Sequence, residues 1–130
     1  MNIRTGVDII EIDRFETQKP ALRSRFFRRV FTVRELSLIK DSFSSAAGRF
    51  AAKEAVAKAL GCGIGTISWQ EIEILKDESG QPQLYLKGKA QEISNKLGIK
   101  SWSVSISHSK HNAIAFAVAL IAAPEEARDG

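Results

Sequence analysis

The sequence predicts an α+β domain in which an antiparallel β-sheet packs against one long central helix. Helical patterns crowd the first half of the chain, and alternating strand patterns crowd the second. Residues 47–60, AGRFAAKEAVAKAL, form an unbroken Ala-rich helical stretch between them. At 130 residues, 44% hydrophobic and 26% charged, the chain suits one ordinary globular domain. That domain is expected over residues 1–123, with the acidic segment 124–130, PEEARDG, as a flexible tail.

Each element has its own signal. Residues 3–10 read as a β-branched, apolar strand. Gly6 inside it marks a close backbone approach or a bulge, and Asp8 is a lone charge between Val7 and Ile9. Residues 11–15 begin a polar turn or short helix. Pro20 opens a helix over 21–30, whose apolar side is Phe26, Phe27 and Val30, with Phe31 following. Thr32 is a good N-cap, and Glu35 three residues on completes a capping box before LSLIK. Ser44 and Ser45 precede the long helix, which ends at Gly61 as its C′ residue. On that helix Ala51, Ala52, Ala55, Val56 and Ala59 cover one apolar arc, and Phe50 and Ala57 lie beyond the Glu54/Lys58 row.

The second half alternates. Over 69–75, Ile72 and Ile74 oppose Glu71 and Glu73; DESGQP turns the chain, and 83–87 return as a strand. A helix over 88–97 closes at Gly98. Trp102, Val104, Ile106 and His108 then share one strand face, with Ser101, Ser103, Ser105, Ser107 and Ser109 on the other. After the turn SKHN, Ile114, Phe116, Val118 and Leu120 alternate with alanines over 113–121. This hairpin has one well-buried face, and its small alanine side suits a close-packed helix or another subunit.

Composition removes several function classes. No apolar run reaches bilayer length, and the first residues lack the pattern of a secretory signal. The single cysteine, Cys62, allows no internal disulfide, which points to a reducing cytoplasm. With no base near it in sequence, Cys62 reads as a small filler residue. The net charge is +4 and the pI about 9.4, with Arg23, Arg25, Arg28 and Arg29 clustered together. Such a patch is either a solvated helix face or the mark of an acidic partner: nucleic acid, a polyphosphate ligand or an acidic protein.

Three polar residues interrupt apolar patterns: Asp8, Glu54 and His108. Two carboxylates from separate elements are a typical protein contribution to a Mg²⁺ site, the other ligands being water and substrate phosphates. Lys58, one turn after Glu54, suits a phosphate as a point charge, and Arg49 on the first turn suits another. The plain alternatives are an i,i+4 surface ion pair for Glu54 and Lys58, worth roughly a few tenths of a kcal/mol, and a hydrogen-bonded core histidine for His108. The sequence has no P-loop, no dinucleotide-binding fingerprint, no HExxH, no CxxC and no nucleophile elbow.

GVDIIEIDRF, RRVFTVREL, AGRFAAKEAVAKALGCGIG and SVSISHS follow one another in that order. Over nearly its whole length the chain closely resembles the holo-[acyl-carrier-protein] synthases, the small trimeric type of 4′-phosphopantetheinyl transferase. The resemblance implies transfer of the 4′-phosphopantetheine arm of coenzyme A to a serine of apo-acyl carrier protein, releasing adenosine 3′,5′-bisphosphate, in cytoplasmic fatty acid biosynthesis. It implies that Asp8 and Glu54 hold Mg²⁺ against the coenzyme A diphosphate and that Lys58 contacts the phosphates. Arg49 and His108 would line the nucleotide site, and Gly61 and Gly65 would let backbone approach the ligand. Arg14 would face acidic side chains of the carrier protein, with Arg23, Arg25 and Phe26 on the carrier-binding helix. Glu54, or a water on the metal, would accept the serine proton. Three subunits would form a ring with active sites at their interfaces, with neither nucleic acid nor membrane as a partner. The rival readings are a non-catalytic basic domain that binds nucleic acid or an acidic protein, and a scaffold that keeps the fold without the chemistry. Against the first, no aromatic residues interleave with basic ones on any strand. Against the second stands the intact Asp8, Glu54, Lys58 set.

Overall fold

Alternation along two long strands and an Ala-rich helix sets the architecture. The computed structural model describes residues 2–123, so the tail expected over 124–130 lies outside the described residues. The chain runs β1 (Asn2–Glu11), α1 (Asp13–Thr17), α2 (Pro20–Val30), α3 (Val33–Ile39), α4 (Phe43–Leu60), a 3-10 turn (Trp69–Glu71), β2 (Ile72–Lys76), β3 (Pro82–Leu86), α5 (Gly88–Lys96), β4 (Ile99–His108) and β5 (Asn112–Ile121). The main sheet has the order β1-β5-β4, antiparallel throughout, so the last strand in sequence is the middle one in space. β2 and β3 form a separate two-stranded sheet.

The main sheet is covered on one face by α4, and the two approach to backbone contact. A Cβ added at Gly6 would lie 1.9 Å from the Ala55 carbonyl oxygen, so the strand glycine does mark a close approach. Beside it, Ala113, Ala115, Ala117 and Ala119 of β5 are all buried, at 1% exposure or less. Small side chains on both elements let them close up. The alanine row is therefore occupied by this chain's own helix and is not open to another subunit. The larger β5 residues face away: Ile114 and Phe116 are exposed, as are Ile3, Val7 and Ile9 on β1. Cross-strand pairing of Val7 with Phe116 and Ile9 with Ile114 gathers them into one apolar outer patch.

α4 is buried on nearly every side, well beyond the single arc that spacing suggests; Ala46, Ala47, Ala57 and Leu60 are all inside. It also begins earlier than expected. Ser42 is the N-cap, its Oγ accepting from the Ser45 amide at 3.1 Å, so Ser44 and Ser45 lie in the first turn. Gly61 ends it in the left-handed conformation, at φ 77°, as expected of a C′ glycine. Arg4 reaches over from β1 and donates Nε to the Ala59 carbonyl at 2.6 Å, one of the helix's terminal acceptors. An aromatic cluster of Phe15, Phe26, Phe27, Phe31, Phe50 and Trp69 packs α1, α2 and α4 together, with Phe50 and Trp69 centroids 4.9 Å apart.

The capping box at α3 forms as the sequence implies, but Glu35 does more than cap. It is fully buried; Oε1 accepts from the Thr32 amide at 2.9 Å and Oε2 from the Ile74 amide at 2.8 Å. Trp69–Glu71 is a 3-10 turn, not the start of a strand. Glu73, expected on a polar face opposite Ile72 and Ile74, is 1% exposed. Thr32 Oγ1 donates to it at 2.5 Å, and Arg34 and Lys87 reach it at 2.6 and 3.2 Å. Burial alone pushes its carboxyl up, yet the three donors outweigh burial and hold it at about 2.

The Gly6–Ala55 contact is directly testable. Gly6→Ala places a methyl group inside a backbone carbonyl, so we expect it to cost at least about 3 kcal/mol in chemical denaturation or to prevent folding. A loss under about 1 kcal/mol would mean that β1 and α4 can move apart.

Candidate active site

The close β1–α4 approach brings one carboxylate of the strand beside one carboxylate and one ammonium of the helix. Gly6, Asp8 and Ile10 alternate onto the face of β1 that meets α4. Lys58 Nζ donates to Asp8 Oδ1 at 3.1 Å and to the Val7 carbonyl at 2.9 Å. The ion pair of Lys58 is thus with the strand, not the i,i+4 partner Glu54 that spacing alone suggests. Asp8 Oδ2 is enclosed and has no hydrogen-bond partner. Glu54 is half-buried; burial pushes its carboxyl up, the Asp8 carboxylate pushes it further, and Lys58 offsets part of this.

This donor set fits a hard divalent cation. An enclosed carboxylate oxygen without a partner is costly, and a cation between two carboxylates removes that cost. Among the described residues no three His, Cys, Asp or Glu side chains gather at one place. Two protein oxygens leave the remaining positions to water and substrate, which is how Mg²⁺ is commonly held.

Arg49 and His108 stand elsewhere. They line a cleft of about 320 Å³ between the amino-terminal half of α4, β2, the Gly80–Pro82 turn and β4. Arg49 is 9% exposed; Nε donates to the Ile74 carbonyl at 2.9 Å and Nη1 to Ser45 Oγ at 2.5 Å. Its remaining N–H groups have no protein acceptor among the described residues. His108 is exposed at the end of β4, which sets aside the core-histidine alternative. β5 lies between β1 and β4, and Asp8 pairs with Ala115 where His108 pairs with Ala113, so Asp8 and His108 sit on opposite edges of the sheet, roughly 12 Å apart by strand spacing and register. Arg49 and Lys58 are nine residues apart, which on a helix is a half turn out of phase. The two sets of polar residues thus emerge on opposite flanks of α4.

The other expected site residues are dispersed. Gly61 abuts Arg4 at the end of α4, and Gly65, at φ 118°, lines a separate groove with Arg29, Ser68 and Lys89. Arg14 and Arg25 are exposed. Arg14 and Phe26 line a cavity of about 400 Å³ with Ile10, Phe15 and Phe50. Arg23 is turned inward: Nη1 donates to the Phe15 carbonyl at 3.0 Å, and the guanidinium stacks 4.8 Å from the Phe43 ring centre.

Sequence reasoning passed over Lys53. It is fully buried beside Glu54 and spends its ammonium on Glu35 Oε1 at 2.8 Å, the Trp69 carbonyl at 3.0 Å and the Ile72 carbonyl at 2.5 Å. Burial pushes its ammonium down, and the Glu35 carboxylate offsets part of that. Lys53, Glu35 and Arg49 together satisfy the edge of β2 that no strand covers, and so fix the cleft wall. The available signal was a lysine in phase with the alanines of a buried helix.

The sequence profile of the 4′-phosphopantetheinyl transferase superfamily matches residues 4–119. The chain belongs to that family. A holo-[acyl-carrier-protein] synthase of Herpetosiphon aurantiacus is 49% identical over 123 residues, covering 89% of this chain and 97% of the relative. Among solved structures, the Helicobacter pylori holo-[acyl-carrier-protein] synthase in complex with coenzyme A has a TM-score of 0.80 at 38% identity, covering 89% of this chain and 99% of that one. The Neisseria meningitidis holo-[acyl-carrier-protein] synthase gives 0.79 at 34% identity, covering 90% and 97%. The single-domain α+β architecture of this superfamily member is that of these enzymes.

Two lysines on one helix should behave differently. Lys53→Met strands the buried Glu35 charge and is expected to cost about 3–5 kcal/mol in denaturant unfolding. Lys58→Met removes a half-exposed ammonium from a mostly buried carboxylate and should cost less, about 1 kcal/mol. Equal losses would contradict this division of roles.

Proposed function

We propose that this chain transfers the 4′-phosphopantetheine arm of coenzyme A to a serine of apo-acyl carrier protein, releasing adenosine 3′,5′-bisphosphate, with Mg²⁺ held by Asp8 and Glu54. The observation that carries the cation assignment is Asp8 Oδ2, enclosed and unpartnered, on a carboxylate that lies near enough to Glu54 to push its carboxyl up. The Mg²⁺ supplies Lewis-acid neutralisation of the diphosphate oxygens when bound. Everything else falls to side chains. Lys58 offers an ammonium to the charge that develops on the 5′-phosphate of the departing adenosine 3′,5′-bisphosphate as the bond between the two phosphates of coenzyme A breaks. Arg49 offers its unspent N–H groups, and His108 its ring, to phosphate in the cleft. Glu54 accepts the proton of the serine hydroxyl.

The separation of the two halves favours a composite site. One chain places its carboxylates and its cleft on opposite flanks of α4. We therefore assign the active site to the interface of a homotrimer, Asp8, Glu54 and Lys58 coming from one subunit and Arg49 and His108 from the next. The exposed apolar patch of Ile3, Val7, Ile9, Ile114 and Phe116 is the surface suited to bury in that ring. The acidic carrier protein meets the exposed guanidiniums of Arg14 and Arg25, with Phe26 lining the cavity that Arg14 also borders, as electrostatic complementarity would direct. Such an enzyme works in the cytoplasm, in fatty acid biosynthesis; among the described residues no helix is long and apolar enough to cross a membrane.

Intact-mass measurement tests the reaction. Apo-acyl carrier protein incubated with this protein, coenzyme A and Mg²⁺ should gain about 340 Da, and an EDTA control should gain nothing, as expected of a metal-assisted transfer. No gain with several carrier proteins, from folded protein that binds coenzyme A, would overturn the assignment. Coexpression tests the composite site: Asp8→Asn and Arg49→Ala are each expected to be inactive, and random mixing in a ring should restore roughly a quarter of wild-type activity. A site contained in one chain would show no restoration.

A further inference from the structure

We propose that Lys58 sets the cation preference of the carboxylate pair, by occupying one oxygen of Asp8 and so denying a cation a two-oxygen grip on that side chain. The inference rests on the reading of Asp8 and Glu54 as cation ligands and concerns which cation they take.

Lys58 Nζ donates to consecutive residues of β1, the Val7 carbonyl at 2.9 Å and Asp8 Oδ1 at 3.1 Å. Asp8 Oδ2 is enclosed without a partner. The two oxygens of one carboxylate are therefore unequal: one is engaged by an ammonium, and the other is left for a cation. Mg²⁺ is small and demands octahedral geometry, each ligand giving a single oxygen. Ca²⁺ takes roughly six to eight oxygens and readily accepts both oxygens of a carboxylate. A carboxylate offering one oxygen keeps what Mg²⁺ needs and withholds what Ca²⁺ gains.

Charge alone does not discriminate in this way. The Lys58 ammonium repels two divalent cations at the same place to a similar degree, so its removal should strengthen both. The ratio of the two affinities, unlike either affinity, reports how many oxygens Asp8 presents. Lys58 acts here through Asp8 as a positioning residue, before any phosphate arrives.

The test uses the full chain and metal alone, with no coenzyme A and no activity readout. Mn²⁺ binding is followed by electron paramagnetic resonance, and Mg²⁺ or Ca²⁺ is titrated in as competitor. Wild type, Lys58→Met and Lys58→Arg are compared after circular dichroism has verified that each is folded. Lys58→Met is expected to strengthen Ca²⁺ about fivefold more than Mg²⁺, because both oxygens become available. Lys58→Arg keeps the donors and should hold the Ca²⁺/Mg²⁺ ratio within about twofold of wild type. If Lys58→Met strengthens both ions equally, Lys58 contributes charge only and this inference falls while the carboxylate pair stands. If wild type binds no Mn²⁺ at millimolar concentration, the carboxylate-pair reading falls and takes this inference with it.

Discussion

The distance between β1 and α4 controls the rest of the molecule. With hydrogen at Gly6 and methyl groups along α4 and β5, the helix lies on the sheet with almost no side-chain layer between them. At that separation a short carboxylate at position 8 reaches the helix surface, and a lysine on the helix reaches back to the strand backbone. A conventional core of Leu and Ile would put a layer of large side chains between the two elements and lengthen every such contact. The alanine content of the chain is thus as much a property of the site as of the core.

Burial of α4 on nearly all sides has a further consequence. A helix in the middle of a domain can show functional groups to solvent only where its covering layers end. Here they end at the two outer strands, β1 and β4. Glu54 and Lys58 emerge beside β1, and Arg49 emerges beside β4. The helix that carries all three residues thereby prevents them from meeting within one chain.

Much of this was legible in the sequence because it is local. Gly6 in a β-branched strand, Thr32 and Glu35 three residues apart, Gly61 after an alanine run and the Ser/apolar alternation of β4 each state their own conformation. What was not legible depends on partners distant in sequence. Alternation along 113–121 separates two faces but does not say which one is covered; the buried face is the alanine one because Gly6 lets α4 descend onto it. Glu73 alternates as a surface residue should, and only Thr32, Arg34 and Lys87, from α3 and the loop after β3, make its burial tolerable. Lys58 has Glu54 at ideal helical spacing, yet its ion pair is with Asp8, fifty residues away. Arg23 looks like part of a docking surface by charge, but carbonyls of neighbouring elements have taken it.

Lys53 and Lys58 show why residue type underdetermines role. Both are lysines of α4, five residues apart, and each pairs with one carboxylate from another element. Lys53 is surrounded, so its three donors must all find protein acceptors: one Glu35 oxygen and two carbonyls beside β2. Those bonds cannot open without stranding a charge, and this fixes the edge of β2 against α4. Lys58 is half in water, so either of its bonds can exchange for solvent or for an incoming anion at small cost. Difference in burial alone makes the first a rigid support for the cleft wall. The same difference leaves the second able to hold Asp8 and still be available to phosphate.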